Sequence, residues 1–417
     1  MKTAVTIGLM ICGLLAMTML EGSVAEQCPF GHATGGGRKL QQVQGPTPAP
    51  MTAPAPALVQ TPALSPLPNS HLTGPDVQGK PPLYFGFYDT TCPSFPAIVK
   101  RQVASAIAAD SLTPAQLLRL FFHDCFVMGC DASLLLKSTV SNLAEQDHPN
   151  NFTVGKYSVI DAIKAELETA CPGVVSCADI LGAAAAEAVE QAGGPHIDLA
   201  YGRRDGLDSF APAAKTNLPG STLQVEGLIE NFANVGLNLT DVIVLSGGHT
   251  IGQARCSTFA DRFSPTAPNP FPDAAFGSAV ESYCAEGNTV GLDRRMSLDA
   301  NTTTAFDNGY FQSLVNGRGI LTSDDVLFKD PQTKATVTLF ANDQKAFFDA
   351  FQESFRKMGR INVLTGTEGQ IRTQCSIRRP IDLTLNPNAN TDFAQSQDQV
   401  CVPASCPTPP TCKGTQQ

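Results

Sequence analysis

The sequence predicts a mainly α fold, a single helical block set between two low-complexity ends. Apolar residues recur at helical spacing through most of residues 83–380, whereas strand-like alternation is sparse. With 417 residues and 42% hydrophobic content, the chain is long enough and apolar enough for a large buried core. It contains no internal repeat.

The helices follow in order along the block. Thr113-Pro114 opens the first, and its residues Leu117, Leu118, Leu120, Phe121 and Phe122 cover most of its girth, as in a buried helix. Residues 159–170 and 178–192 are rich in Ala, Glu and Ile with helical periodicity, and Gly193-Gly194-Pro195 closes the second. Further helices are expected at 224–235, 241–245, 307–315 and 332–358.

The two ends read differently. Lys2, an apolar run over 4–20 and the small residues Ser23-Val24-Ala25 describe an export signal over residues 1–25. Such a run also fits a membrane anchor, but the small-residue site favours cleavage. No later stretch reaches the ~20 apolar residues of a spanning helix, so no membrane attachment is expected after cleavage. Residues 26–82 form a Pro-rich extension and 381–417 a Cys- and Pro-containing tail.

The net charge is −10, with the 28 Lys and Arg spread thinly, which argues against nucleic acid as a partner. Of thirteen cysteines, Cys12 falls in the signal, leaving an even twelve and favouring disulfides in an oxidising compartment. Asn151, Asn238 and Asn301 stand in glycosylation sequons, which fit the same compartment.

The most informative segment runs from Arg119 to Ser133. Arg119 and His123 lie four apart and project from one helical face. A neutral histidine can take a proton from a peroxide, and an arginine can stabilise the charge that develops as the O–O bond breaks. Pairs of this kind are more often surface pairs or satisfied core groups, but the apolar neighbours argue against a surface position. Asp124, Asp131 and Ser133 then supply oxygens at a spacing that suits a hard cation such as calcium, although a polar loop stapled by Cys125 and Cys130 would read the same way.

The run RLFFHDCFVMGCDASLLL resembles the distal helix and calcium loop of the class III secretory plant peroxidases, the horseradish-peroxidase-like family, and the resemblance extends over about 83–380. It implies the haem peroxidase fold, in which two helical subdomains, distal and proximal, sandwich haem b with little β structure. It implies Arg119 and His123 as the catalytic pair and Phe122 as the aromatic that restricts access to the iron. Asp124, Asp131, Ser133 and the carbonyls of Val127 and Gly129 become ligands of a first calcium, with Glu145 linked behind them.

The family also tethers the catalytic histidine through an asparagine, which fixes the tautomer. Pro149-Asn150 matches the family's Pro-Asn one residue early, and Gly155-Lys156-Tyr157 replaces the usual Arg-Gly-Phe. Asn150 is the choice this gives, with Asn151 as the alternative.

A second segment, Ser246-Gly-Gly-His249-Thr250, resembles the family's axial-ligand motif and implies His249 as the proximal iron ligand. Asp324 matches the aspartate that accepts its other N–H, and its neighbour Asp325 reads as a solvated charge. The oxygen-rich stretch from Asp299 to Asp307 resembles the second calcium site, which gives Thr250, Asp299, Thr302, the Ala305 carbonyl and Asp307 as ligands. Arg255 fits a haem propionate contact or a surface role. Pro219 borders the haem edge where aromatic donors bind.

Eight cysteines match the family framework, Cys92–Cys171, Cys125–Cys130, Cys177–Cys375 and Cys256–Cys284, a connectivity that spacing alone could not select. Asp179 and Arg203 resemble a structural ion pair. Cys28, Cys401, Cys406 and Cys412 are left to pair with one another or to link other chains. His32, His71 and His148 lack partners at ligand spacing and read as solvated. The sequence has no Trp, so a surface tryptophan relay is excluded and small reductants at the haem edge are favoured.

The expected activity is reduction of hydrogen peroxide with one-electron oxidation of phenolic or other aromatic donors, by a secreted monomer requiring haem b and two Ca2+. Its expected location is extracellular or cell-wall, with the vacuole also open. Two rival readings are a silent matrix or haem-binding protein and a zinc hydrolase. The intact catalytic positions weigh against the first, and the lack of a closely spaced third ligand against the second.

Overall fold

A computed structural model describes residues 82–263, 266–289, 291–299 and 301–378. The export signal, nearly all of the Pro-rich extension, the C-terminal tail, His32, His71 and the four unmatched cysteines lie outside the described residues.

Twelve α-helices and one two-stranded sheet make up the regular structure of the described residues, together with five short 3-10 turns. The first four helices are α1 (Phe95–Ala109), α2 (Thr113–Val127), α3 (Tyr157–Ala170) and α4 (Cys177–Gln191). Next come α5 (Ala211–Asn217), α6 (Val225–Ala233), α7 (Leu239–Ser246) and α8 (Ala274–Thr289). The last four are α9 (Gly309–Val315), α10 (Thr322–Lys329), α11 (Pro331–Asn342) and α12 (Gln344–Met358). Strands β1 (Gln253–Arg255) and β2 (Arg295–Ser297) pair antiparallel, with Ala254 opposite Met296.

Helix α2 is the spine of the molecule. Pro114 sits in its first turn, where a missing N–H costs nothing, and Leu117, Leu120 and Phe121 are almost wholly buried. It lies against α4, whose run Gly182-Ala183-Ala184-Ala185-Ala186 keeps the facing surface shallow, so that the two backbones come close. A Cβ at Gly182 would meet a Leu199 methyl at 2.9 Å and the Phe121 ring at 3.4 Å, which leaves no room for a larger residue. From its other side Phe121 stacks obliquely on Phe355 of α12, with ring centroids 5.3 Å apart.

The helices of the two expected halves share one core. A single apolar cluster runs from Val103 and Phe121 through Ile180 to Val244, Phe311 and Phe351, and a smaller one gathers Phe259, Phe271 and Ile320 around Cys256–Cys284. Burying each such Leu, Ile or Phe contributes roughly 1.5–3 kcal/mol, and the continuity of the cluster makes the halves one cooperative body.

The four disulfides pair as the framework implies. Cys177–Cys375 closes the longest loop, 198 residues, and ties the start of α4 to the end of the described chain.

One expected helix divides. Residues 332–358 form α11 and α12, separated by Asp343, whose backbone is extended and whose side chain caps α12 by accepting a hydrogen bond from the Ala346 N–H at 2.9 Å.

The Asp179–Arg203 pair is fully buried, with its N···O distance at 2.7 Å. Arg203 also donates to the carbonyls of Ala200 and Gly359, and Asp179 accepts from Tyr88 Oη and the Gly202 N–H. The pair therefore knots α4 to the turn after α12. Breaking a buried pair strands a charge, so Asp179→Ala is expected to cost about 3–5 kcal/mol in denaturant unfolding. A loss below about 1 kcal/mol would show that the knot is dispensable.

Candidate active site

Helix α2 presents Arg119 and His123 one turn apart on the same face, with Arg119 Nε 3.0 Å from His123 Nε2. The other ends of the guanidinium are held by the Thr153 hydroxyl at 2.8 Å and the Asn150 carbonyl at 3.3 Å. Burial lowers the Arg119 pKa, yet an arginine keeps its charge.

The asparagine on His123 is Asn151, not Asn150. His123 Nδ1 lies 2.6 Å from Asn151 Oδ1, while Asn151 Nδ2 donates to the Glu145 carbonyl at 2.7 Å. The amide orientation is thereby set, so Oδ1 must accept, Nδ1 carries the ring proton and Nε2 is unprotonated, accepting the hydrogen bond from Arg119 Nε. The cause of the one-residue difference is a pair of 3-10 turns, Glu145–Asp147 and Pro149–Asn151. They bring Asn151 inward and leave Asn150 exposed, its side chain on the Ala214 carbonyl. His148 is not merely solvated, since its Nδ1 accepts the Asn150 N–H at 3.3 Å and caps the second turn.

Burial and the neighbouring Arg119 charge push the His123 pKa down to about 3, against the opposing hydrogen bond to Asn151. His123 is therefore neutral throughout the physiological range. Phe122 packs edge-on to His123 and against Phe126, with centroid distances of 5.5 and 4.4 Å.

On the facing side, α7 ends in the 3-10 turn Gly247–Thr250, which carries His249. Glycines are needed here: a Cβ on Gly247 would strike the Phe347 and Phe311 rings at under 3 Å, and one on Gly248 would crowd Leu118 of α2. His249 Nδ1 is 2.8 Å from Asp324 Oδ1, and the buried Tyr310 hydroxyl donates to the same oxygen at 3.0 Å. Burial pulls the His249 pKa down, but the charge and hydrogen bond of Asp324 outweigh it and the net shift is upward. The charge of Arg119 lowers the pKa of both imidazoles. With Nδ1 committed, the ring edge bearing His249 Nε2 makes no hydrogen bond among the described residues, and the side chain is 39% exposed.

Asp325 departs from its expected solvated role. It is buried against Arg262 at 3.0 Å and Lys329 at 2.5 Å, and Arg262 in turn caps the carbonyls of Gly319, Ile320 and Leu321. Arg255 is surface-directed, 3.9 Å from Asp293.

Two oxygen clusters flank the cleft. Asp124, Asp131, Ser133 and Glu145 are all buried, and Ser133 Oγ and one Glu145 oxygen have no hydrogen-bond partner. Burial and mutual repulsion raise the pKa of Asp124 well above the carboxylate range, and burial and Asp131 push Glu145 up to about 8. Arg372, donating to the Ala132 carbonyl at 2.6 Å, lowers Asp131 only in part. The Val127 carbonyl accepts from Asn217 at 2.6 Å and that of Gly129 from the Asp131 N–H at 2.8 Å. A Cβ at Gly206 would run into the Asp131 carboxylate, so the cradle is closed on that side.

In the second cluster Thr250 and Thr302 both donate to Asp307 Oδ1, at 3.0 and 3.1 Å, and both reach Asp299 Oδ2, at 3.4 and 3.1 Å. The Ala305 N–H closes the turn onto the Thr302 carbonyl at 3.1 Å. Among the described residues no group of three or more His, Cys, Asp or Glu side chains is set to hold a metal by itself, so both clusters depend on hydroxyl and carbonyl oxygens as well.

Pro219 lies half-buried just after α5. Asn238 and Asn301 are exposed, whereas Asn151 is buried. Thr153 and Tyr310 had no sequence signal for their contacts with Arg119 and Asp324.

The peroxidase family model matches residues 99–343. Among curated relatives, the cationic peroxidase SPC4 of Sorghum bicolor is 44% identical over 74% of this chain and 85% of its own length. Peroxidase P7 of Brassica rapa subsp. rapa is 43% identical over 69% of this chain and 97% of its own. Peroxidase 4 of Vitis vinifera is 43% identical over 69% and 89%. The chain belongs to the peroxidase family and is a peroxidase enzyme.

Both ends of the Asn151 amide are engaged in the interior, so this sequon should stay unmodified in the folded protein. Peptide mass spectrometry after enzymatic deglycosylation in oxygen-18 water checks this, and a label at position 151 in active protein would contradict the geometry.

Proposed function

We propose that this member of the peroxidase family reduces hydrogen peroxide to water and draws electrons one at a time from phenolic or other small aromatic donors, at a haem b held by His249. The observation that carries the reading is the His123–Asn151 hydrogen bond, which leaves His123 Nε2 as an unprotonated base beside Arg119. The proximal donor set also suits the group. A histidine whose Nδ1–H is given to a buried carboxylate would be a strong donor to iron through its other nitrogen, and the His249 side chain is 39% exposed. When bound, the haem supplies the two-electron redox chemistry at the iron.

The residues of the chain move the protons. His123 Nε2 takes one from the near oxygen of the peroxide and returns it to the far oxygen, which leaves as water. Arg119 stabilises the negative charge that builds on that oxygen while the bond breaks. Asn151 keeps the ring in the tautomer that permits both transfers, and Phe122 restricts what can reach the cleft. Two donors then each yield an electron and a proton, so one H2O2 leaves as two waters. Pro219 borders the approach for such donors.

The oxygen clusters are proposed as calcium sites. Asp124, Asp131, Ser133 and the Val127 and Gly129 carbonyls would bind one ion with Glu145 behind them, and Thr250, Asp299, Thr302, the Ala305 carbonyl and Asp307 would bind the other. The orphaned oxygens of Ser133 and Glu145, buried among carboxylates that repel one another, support the first. Residues 1–25 as an export signal and the four disulfides support passage through the secretory route, with the cell wall or the vacuole as destination and a monomer as the proposed form.

Replacing His123 by Leu should lower the rate of peroxide cleavage by at least ~10²-fold with haem still bound, as read by stopped-flow absorbance. Asn151→Ala should slow it markedly and Asn150→Ala far less. Unchanged kinetics in His123→Leu would overturn the assignment. Because the His123 pKa is depressed, its base form persists until the pH falls to about 3, so the acid limb of the peroxide step should lie near pH 3 and not near 6.5. A limb centred at 6–7 in the pH profile would contradict it.

Chelation by EGTA should lower the melting temperature and Ca2+ should restore it, with Mg2+ ineffective, because the smaller ion demands a tighter octahedron. Calorimetry that shows no change on chelation of metal-replete protein would argue against both sites.

A further inference from the structure

Resting on His249 as the iron ligand, we infer that Tyr310 is a positioning residue that tunes the iron, by sharing with His249 the single carboxylate oxygen that sets how strongly the histidine donates.

Asp324 offers two oxygens in a buried setting. Oδ2 accepts the Leu321 N–H at 3.2 Å, which locks the carboxylate at the start of α10. Oδ1 is left to receive both His249 Nδ1 at 2.8 Å and the Tyr310 hydroxyl at 3.0 Å. Tyr310 is 1% exposed and its ring meets the His249 ring edge-on, with centroids 6.1 Å apart. Tyr310 cannot turn toward water. A phenol is protonated at neutral pH, so Tyr310 acts as donor and the carboxylate as acceptor.

The consequence follows from charge. The more negative Asp324 Oδ1 is, the further the Nδ1 proton is drawn toward it and the more anionic the imidazole that faces the iron. An anionic ligand favours ferric over ferrous iron. The Tyr310 proton withdraws part of that negative charge. Tyr310 therefore moderates the push of Asp324 and keeps the ferric–ferrous equilibrium less one-sided than the Asp–His pair alone would make it. Its position is fixed from the second oxygen cluster, because Asp307 accepts the Gly309 N–H at 2.8 Å at the start of α9, one residue before Tyr310.

The test is Tyr310→Phe in haem-loaded protein, which deletes one oxygen and keeps the ring packing. Spectroelectrochemistry should show the equilibrium shifted three- to tenfold toward ferric iron, a fall in potential of about 30–60 mV for a one-electron couple. Resonance Raman of the ferrous protein should show the iron–histidine stretch at higher frequency. A potential and a stretch both unchanged from the parent, in variant protein that has retained haem and fold by circular dichroism, would overturn the inference. Should Tyr310→Phe fail to fold, 3-fluorotyrosine at position 310, a more acidic hydroxyl on the same ring, provides the second measurement: the stronger donor should raise the potential and lower the stretch frequency, and an unchanged potential would overturn the inference. A parent protein without an iron–histidine band, or with one that survives His249→Ala, would instead overturn the ligand assignment itself.

Discussion

The hydrogen bond from His123 to Asn151 is the contact on which the distal half of the site depends. A buried imidazole between a guanidinium and apolar side chains has a proton on one of two nitrogens, and only one choice leaves a base facing the cleft. Asn151 makes the choice because its own amide is turned by the Glu145 carbonyl. That carbonyl belongs to a residue whose carboxyl lies in the first oxygen cluster. The reactive nitrogen is thus held through one side chain to the loop at the end of α2, and α2 itself supplies Arg119, His123 and Asp124 within six residues.

The two histidines are pushed in opposite directions. Burial and the charge of Arg119 lower both, although His249 is the more exposed of the two. The difference lies in the group on Nδ1. A neutral amide on His123 adds little to offset burial, so the ring stays uncharged. The Asp324 carboxylate on His249 reverses the effect of burial. On the proposed assignment, His123 as neutral base and His249 as negatively supported donor divide the labour of a peroxidase, and the division turns on an Asn and an Asp.

What could be read from the sequence was whatever is local or carried by a motif. Arg119 and His123 are one turn apart on a helix whose apolar girth is evident, whereas α1, which buries Phe95, Ile98, Val99 and Val103, is not among the helices expected. His249, Asp324 and the four disulfides came through resemblance, since residues 75 and 198 apart in sequence have no local signal for pairing. The misassigned Asn150 shows where that route ends. Consecutive 3-10 turns have no hydrophobic period, so the inward residue could not be told from its neighbour once the motif had shifted. The Asp343 break between α11 and α12 and the burial of Asp325 had the same cause. Each is decided by a cap or a partner, and Arg262 stands 63 residues from the aspartate it covers.

The placing of the acidic cluster beside the base poses an electrostatic problem with one good solution. Asp124 follows His123 directly, and Asp131 and Glu145 share its buried surroundings. Three ionised carboxylates there would raise the His123 pKa and favour imidazolium, leaving less of the unprotonated base. Protonated carboxyls would spare His123 but leave the oxygens of Ser133 and Glu145 without partners, at a cost of about 1–3 kcal/mol for each unsatisfied group. A divalent cation answers both demands, since it keeps the carboxylates ionised and satisfied while cancelling their field at the imidazole. On this argument the proposed cation would serve the chemistry as well as the fold, by holding the carboxylates ionised and satisfied without favouring imidazolium at His123.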